Sequence, residues 1–68
     1  MENRIRVIRA EQKISQETLA KRAGISRTTL VALEKGTSTP DGDTIAKIVQ
    51  ALKVPAGEIF SALDVKQN

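Results

Sequence analysis

An all-α fold is what this 68-residue sequence predicts, on three observations. Apolar positions recur at helical spacing along the whole chain. No run alternates β-branched with polar residues, as a half-buried strand would. Capping residues, glycines and prolines cut the apolar pattern into short segments. A chain of this length supports one small core, so residues 1–68 are expected to form a single domain.

The first helix, about residues 3–12, carries Ile5 and Ile8 on one face. A second begins after Ser15, a favourable N-cap at the head of "SQETLAKRAG". Gly24 then falls just past the end of that helix, where a positive φ is cheap for glycine. Ser26 caps a third helix of about 27–35, which Gly36 closes. The stretch "TSTPDGD" reads as a loop whose Asp41 caps a fourth helix, with Ile45, Ile48, Val49 and Leu52 at i, i+3, i+4 and i+7. After "KVP" a short fifth helix repeats that spacing with Ala56, Ile59, Phe60 and Leu63, although Pro55 and Gly57 weaken it. The tail "DVKQN" is expected to fray unless a partner chain covers Val65.

"AGISRTTL" needs a reason of its own. One continuous helix over 15–35 would carry Gly24 at a cost of about 1 kcal/mol relative to alanine. Two short helices joined by a tight turn at Gly24 use the same residue to cross each other, holding the second out as a separate rod. Ala20 and Ala23 are small where the two helices approach, and Leu19, Ile25, Leu30 and Leu33 fill the space beneath.

Composition narrows the function. The sequence has no histidine, cysteine, tryptophan or tyrosine, which removes the commonest general base and the usual metal ligands. No enzyme, cofactor or metal site is therefore expected. No apolar run approaches the ~20 residues of a membrane span, and "MENRIRVIRA" is too charged for a signal peptide, so a soluble, cytoplasmic protein is expected. The net charge of +3 is unevenly spread. Residues 1–35 hold eight Arg and Lys against four Glu, and residues 36–68 hold three Lys against four acids. An anionic partner would dock on the basic half, although a basic face can also be ordinary solvated surface.

Spaced as they are, Gln16, Leu19, Ala20, Gly24, Ile25, Leu30 and Leu33 resemble the helix-turn-helix of the lambda-repressor-like family, the XRE-type regulators. The resemblance covers nearly the whole chain, from the Ile8-Arg9 pair through "SQETLA", "GISRTTL", "LEKG" and "TP" to "IAKIVQALKVP" and "EIF". The sequence departs from the family pattern at three places. Lys13 stands where glycine is frequent, Pro55 where a serine-type cap is usual, and Gly57 lies inside the last helix. The resemblance implies a compact five-helix domain that binds double-stranded DNA as a sequence-specific transcriptional regulator, a repressor acting by occluding a promoter. Because one such helix reads too few base pairs for useful specificity, a homodimer is expected, with the outer face of the fifth helix with Leu63 and Val65 as the candidate contact. Regulation would come from concentration, oligomeric state or another protein. The rival reading is a protein-interaction module, such as an antitoxin or an anti-repressor target.

At about 100° per residue, Leu30 and Leu33 define the inward side of the third helix and leave Thr28, Ala32 and Lys35 on an outward stripe, flanked by Val31. Short outward side chains let a helix sink into the DNA major groove, and Arg27 is long enough to reach a guanine edge bidentately. By position in the family motif, Gln16, Arg27, Thr28, Thr29 and Ala32 inherit the approach to DNA. Lys35 and the hydroxyls of Thr37 and Ser38 are candidate backbone contacts. Plainer roles stand beside these: Gln16 as an inner cap residue, Thr37 and Ser38 as turn formers, and the outward stripe as solvated surface. Arg9 is set apart from the other basic residues. It and Glu34 lie at the edge of inward stripes, where charges must be paired, and family members carry an arginine and a glutamate here that bridge the first and third helices. Arg4, Arg6, Lys13, Lys21 and Arg22 remain as exposed positive charge.

Overall fold

The computed structural model describes residues 3–60. Among them are five helices: α1 (Ile5–Glu11), α2 (Gln16–Ala23), α3 (Arg27–Lys35), α4 (Gly42–Leu52) and α5 (Ala56–Ile59). The helices enclose one core, in which Ile5, Leu19, Leu30, Leu33, Ile48, Leu52 and Ile59 are fully buried. Each such side chain contributes about 1.5–3 kcal/mol by leaving water, so this cluster is the main source of stability. Ile14, Ile25, Ile45, Val49 and Val54 pack around its edge.

Three helices begin on the caps their sequences predict. Ser15 accepts a hydrogen bond from the Thr18 backbone N–H, Ser26 from that of Thr29, and Asp41 from that of Thr44. Each bond satisfies one of the orphan donors of a first helical turn. Gly24 and Gly36 end α2 and α3 in the left-handed region, at φ +69° and +77°. Around Gly24, the glycine N–H donates to Lys21 O and the Ile25 N–H to Ala20 O. That paired closure turns the chain sharply and delivers it to the next cap two residues later. A side chain at Gly24 would meet no atom within 4 Å, so the glycine is required for its dihedral angle and not for space.

The fifth helix is shorter than the apolar spacing of Ala56, Ile59, Phe60 and Leu63 predicts. Ala56 is exposed, and Phe60 leaves the helix in an extended conformation while remaining buried. Pro55 provides no side-chain cap. The Ile59 carbonyl, which a continuing helix would offer to its own next turn, instead accepts from the backbone N–H of Arg4 at 2.9 Å. Tertiary pairing with the N-terminal segment thus ends the helix where periodicity would extend it. Leu63 and Val65, named as a dimer contact, lie outside the described residues.

Candidate nucleic-acid interface

Leu30 and Leu33 face inward, and the opposite side of α3 is the surface that the helix-turn-helix presents. Thr28 and Lys35 are exposed there, Ala32 and Val31 are half-buried, and Arg27 and Thr29 are exposed in the first turn. Ala20 and Ala23 are buried on α2, which packs against both α3 and α4. α3 therefore stands out as a rod held from one side only.

Gln16, the first residue of α2, joins this surface through two adjoining clefts. Arg9, Ser15, Gln16, Glu17 and Arg27 line one, while Arg6, Arg9, Gln16, Val31, Glu34 and Lys35 line the other. Gln16, Arg27 and Lys35 are thereby brought to one face. Arg6 borders the same face from α1, a position that periodicity treats only as exposed charge.

Below that face lies a charged pair. Arg9 Nε donates to Glu34 Oε2 at 3.1 Å and Nη2 to Oε1 at 3.3 Å, while Nη1 donates to the Ile14 carbonyl at 3.1 Å. The side chain of Glu34 is only 6% exposed and that of Arg9 18%. This is the bridge between α1 and α3 that the inward placement of both residues requires. Its bidentate geometry and the extra bond to Ile14 O compensate for the loss of water around both charges. Arg9 is thus occupied within the fold, unlike the exposed Arg27.

The hydroxyls divide in their availability. Thr29 Oγ1 accepts from Ser26 Oγ at 2.8 Å and keeps its own proton for an outside acceptor. Thr37 spends both donors on one carbonyl: its N–H and its hydroxyl both donate to Ala32 O, at 3.0 and 3.2 Å. Its hydroxyl must turn away from α3 before it can donate to a phosphate. Ser38 is exposed in the loop that follows.

The partners of three side-chain amides escaped sequence reasoning. Asn3 accepts from the Ile5 N–H through Oδ1 and donates to Leu33 O through Nδ2 at 2.7 Å, tying the start of α1 to the end of α3. Gln12 donates to Leu52 O at 2.7 Å and ties the ends of α1 and α4 together. Gln16 donates to Glu34 Oε1 at 3.2 Å. Only the Asn3–Ile5 bond, a local Asx-turn just ahead of α1, has a sequence signature that could have revealed it.

Among the described residues, no group of His, Cys, Asp and Glu is arranged to hold a metal ion, and no helix is long and apolar enough to cross a membrane.

Five helices with a glycine-turned α2–α3 pair, an outward α3 and a bridged α1 define a helix-turn-helix protein of lambda-repressor-like architecture. The helix-turn-helix family matches residues 5–59, and the chain belongs to that family, in its XRE-type branch. Its curated relatives include the cryptic phage CTXphi transcriptional repressor RstR of Vibrio cholerae, 36% identical over 59 residues. That alignment takes in 87% of this chain but 53% of RstR, so the chain spans about half of that relative's length. An uncharacterized HTH-type transcriptional regulator of Methanocaldococcus jannaschii is 38% identical over 60 residues, covering 88% of this chain and 91% of the relative. One of Archaeoglobus fulgidus is 40% identical over 60 residues, covering 88% and 84%. All three names are those of transcription regulators and not of enzymes.

Proposed function

We propose that the chain is a sequence-specific DNA-binding repressor that lays α3 in the major groove of its operator. The observation that carries this reading is the exposed first turn of α3, where Arg27 shares a cleft with Gln16 and Thr28 is exposed on the side turned away from Leu30 and Leu33. Arg27 reads a guanine edge, while Thr28 and the half-buried Ala32 keep the stripe low enough for the groove. Gln16, Thr29 and Lys35 hold phosphates and set the register of the helix, with Ser38 and, once its hydroxyl is released, Thr37 at the following loop. Membership of the family and the repressor name of RstR support this reading.

One α3 reads too few base pairs for useful specificity. The working unit is therefore a homodimer that presents two copies of α3 about one helical turn, ~34 Å, apart to a palindromic site. Regulation falls to concentration, to that dimer equilibrium or to a second protein.

Repeated selection of bound duplexes from a random pool, followed by gel shifts over a range of salt, tests the proposal. A palindromic consensus should emerge, with log K falling against log salt by about 0.9 per neutralised phosphate. A pool that yields no enriched sequence, or binding indifferent to salt, would contradict it.

A further inference from the structure

The contact between Gln16 and the Arg9–Glu34 pair links the surface of the molecule to its only ion pair between helices among the described residues. An ionised carboxylate only accepts hydrogen bonds, so the Gln16 amide must present Nε2 to Glu34 Oε1, and the 3.2 Å contact fixes which way the amide faces. One N–H and the carbonyl are left to point elsewhere, in the clefts shared with Arg27 and Lys35. Glu34 itself is held on both oxygens by Arg9 and is nearly inaccessible, so it cannot follow a mobile surface group. A glutamine side chain in water would lose rotamer freedom on binding a phosphate; this one has already lost it on folding.

We infer that Glu34 is a positioning residue for DNA binding: clamped by Arg9, it orients the Gln16 amide so that its second N–H is aimed at a backbone phosphate before DNA arrives. Arg9 has a second duty in this arrangement, because it neutralises a carboxylate that would otherwise repel the same phosphate. The inference rests on the proposed DNA-binding function.

The test is a double-mutant cycle on the whole chain. Replacing both charges by apolar side chains of similar volume (Arg9→Met with Glu34→Met) removes the clamp while leaving no buried charge unpaired, a type of exchange that folds tolerate. Gln16→Ala is made in the parent and in that background, and binding to a duplex selected with the parent is measured where all four proteins are folded. Gln16→Ala should weaken binding about three- to tenfold in the parent, as expected for one hydrogen bond, and by clearly less once the clamp is gone. An equal loss in both backgrounds would overturn the inference while leaving the proposed function standing. A parent that enriches no duplex would overturn that function, and the inference with it. If the Met pair fails to fold, side-chain amide relaxation in the parent decides. The Gln16 NH2 should be markedly more rigid than that of the exposed Gln50, and equal mobility would overturn the inference.

Discussion

Among the described residues, four helices are followed within two residues by one in the left-handed region, and they divide into two kinds. α2 and α3 end on Gly24 and Gly36, whereas α1 and α4 give way to Lys13 and Lys53, at φ 58° and 59°. The hydrogen bonds that close them are nearly alike. Around Lys13, its own N–H donates to Ala10 O and that of Ile14 to Arg9 O, the same pairing seen around Gly24. Lys53 closes α4 with a single bond to Val49 O. A side chain in this region costs roughly 1–2 kcal/mol, which the lysines bear and the glycines avoid.

What differs is the source of the constraint. In the helix-turn-helix, local chemistry does the work: a serine cap opens each helix and a glycine closes it. α1 has no side-chain cap of its own and is tied at a distance, since Gln12 reaches Leu52 O at the end of α4 while Asn3 and Arg9 reach Leu33 O and Glu34 of α3; α4 opens on the local cap Asp41 but closes without a glycine. Local rules are thus strictest where the crossing of two helices must be exact enough to present a third surface.

The largest effect should come from breaking a distant tie. Arg9→Ala strands the nearly buried Glu34, and thermal or urea unfolding should show a loss of about 3 kcal/mol or more, a large part of what so small a domain possesses. A variant that melts like the parent would mean that α1 does not depend on the pair. Gly24→Ala attacks the locally specified half. It meets no steric obstacle, so its cost should be the dihedral penalty alone, about 1 kcal/mol, or roughly 4–8 °C in Tm for a domain of this size. Lys53→Gly should act in the opposite direction, raising stability by about 0.5–1 kcal/mol, because relief of the positive φ outweighs the added freedom of the unfolded chain. Equal and opposite shifts at Gly24 and Lys53 would support a common origin. A destabilised Lys53→Gly would show that the lysine side chain contributes something the dihedral angle does not reveal.

The same division explains how much could be read from the chain. Ser15, Ser26 and Asp41 announced their helices because a cap and the backbone N–H that donates to it lie three residues apart. Gly24 announced the turn because no other residue adopts that φ cheaply. The pairing of Arg9 with Glu34 was legible because both charges fall on inward stripes, although the resemblance to known regulators named the partners. The partners of the Asn3, Gln12 and Gln16 amides were not legible. They lie 30, 40 and 18 residues away, a separation that no periodicity encodes. The end of α5 was misread for a related reason. Apolar spacing continues past Ile59, but the Ile59 carbonyl is taken by Arg4 from the other end of the described chain. At the proposed interface, sequence supplied the residues and structure supplied their neighbourhood, including Arg6 at the edge of the Gln16 cleft and the engaged hydroxyl of Thr37.

The central claim is that α3 reads DNA from its exposed face, and Arg27 is where that claim is most open to contradiction. Arg27→Ala should be compared with the parent on the selected operator and on duplexes changed one base pair at a time, with melting followed in parallel. The exposed side chain leaves stability nearly unchanged. Operator affinity should fall by about 1–3 kcal/mol, and preference should relax at one base pair of each half-site. Full affinity with unaltered preference at every position would mean that the first turn of α3 does not read the groove.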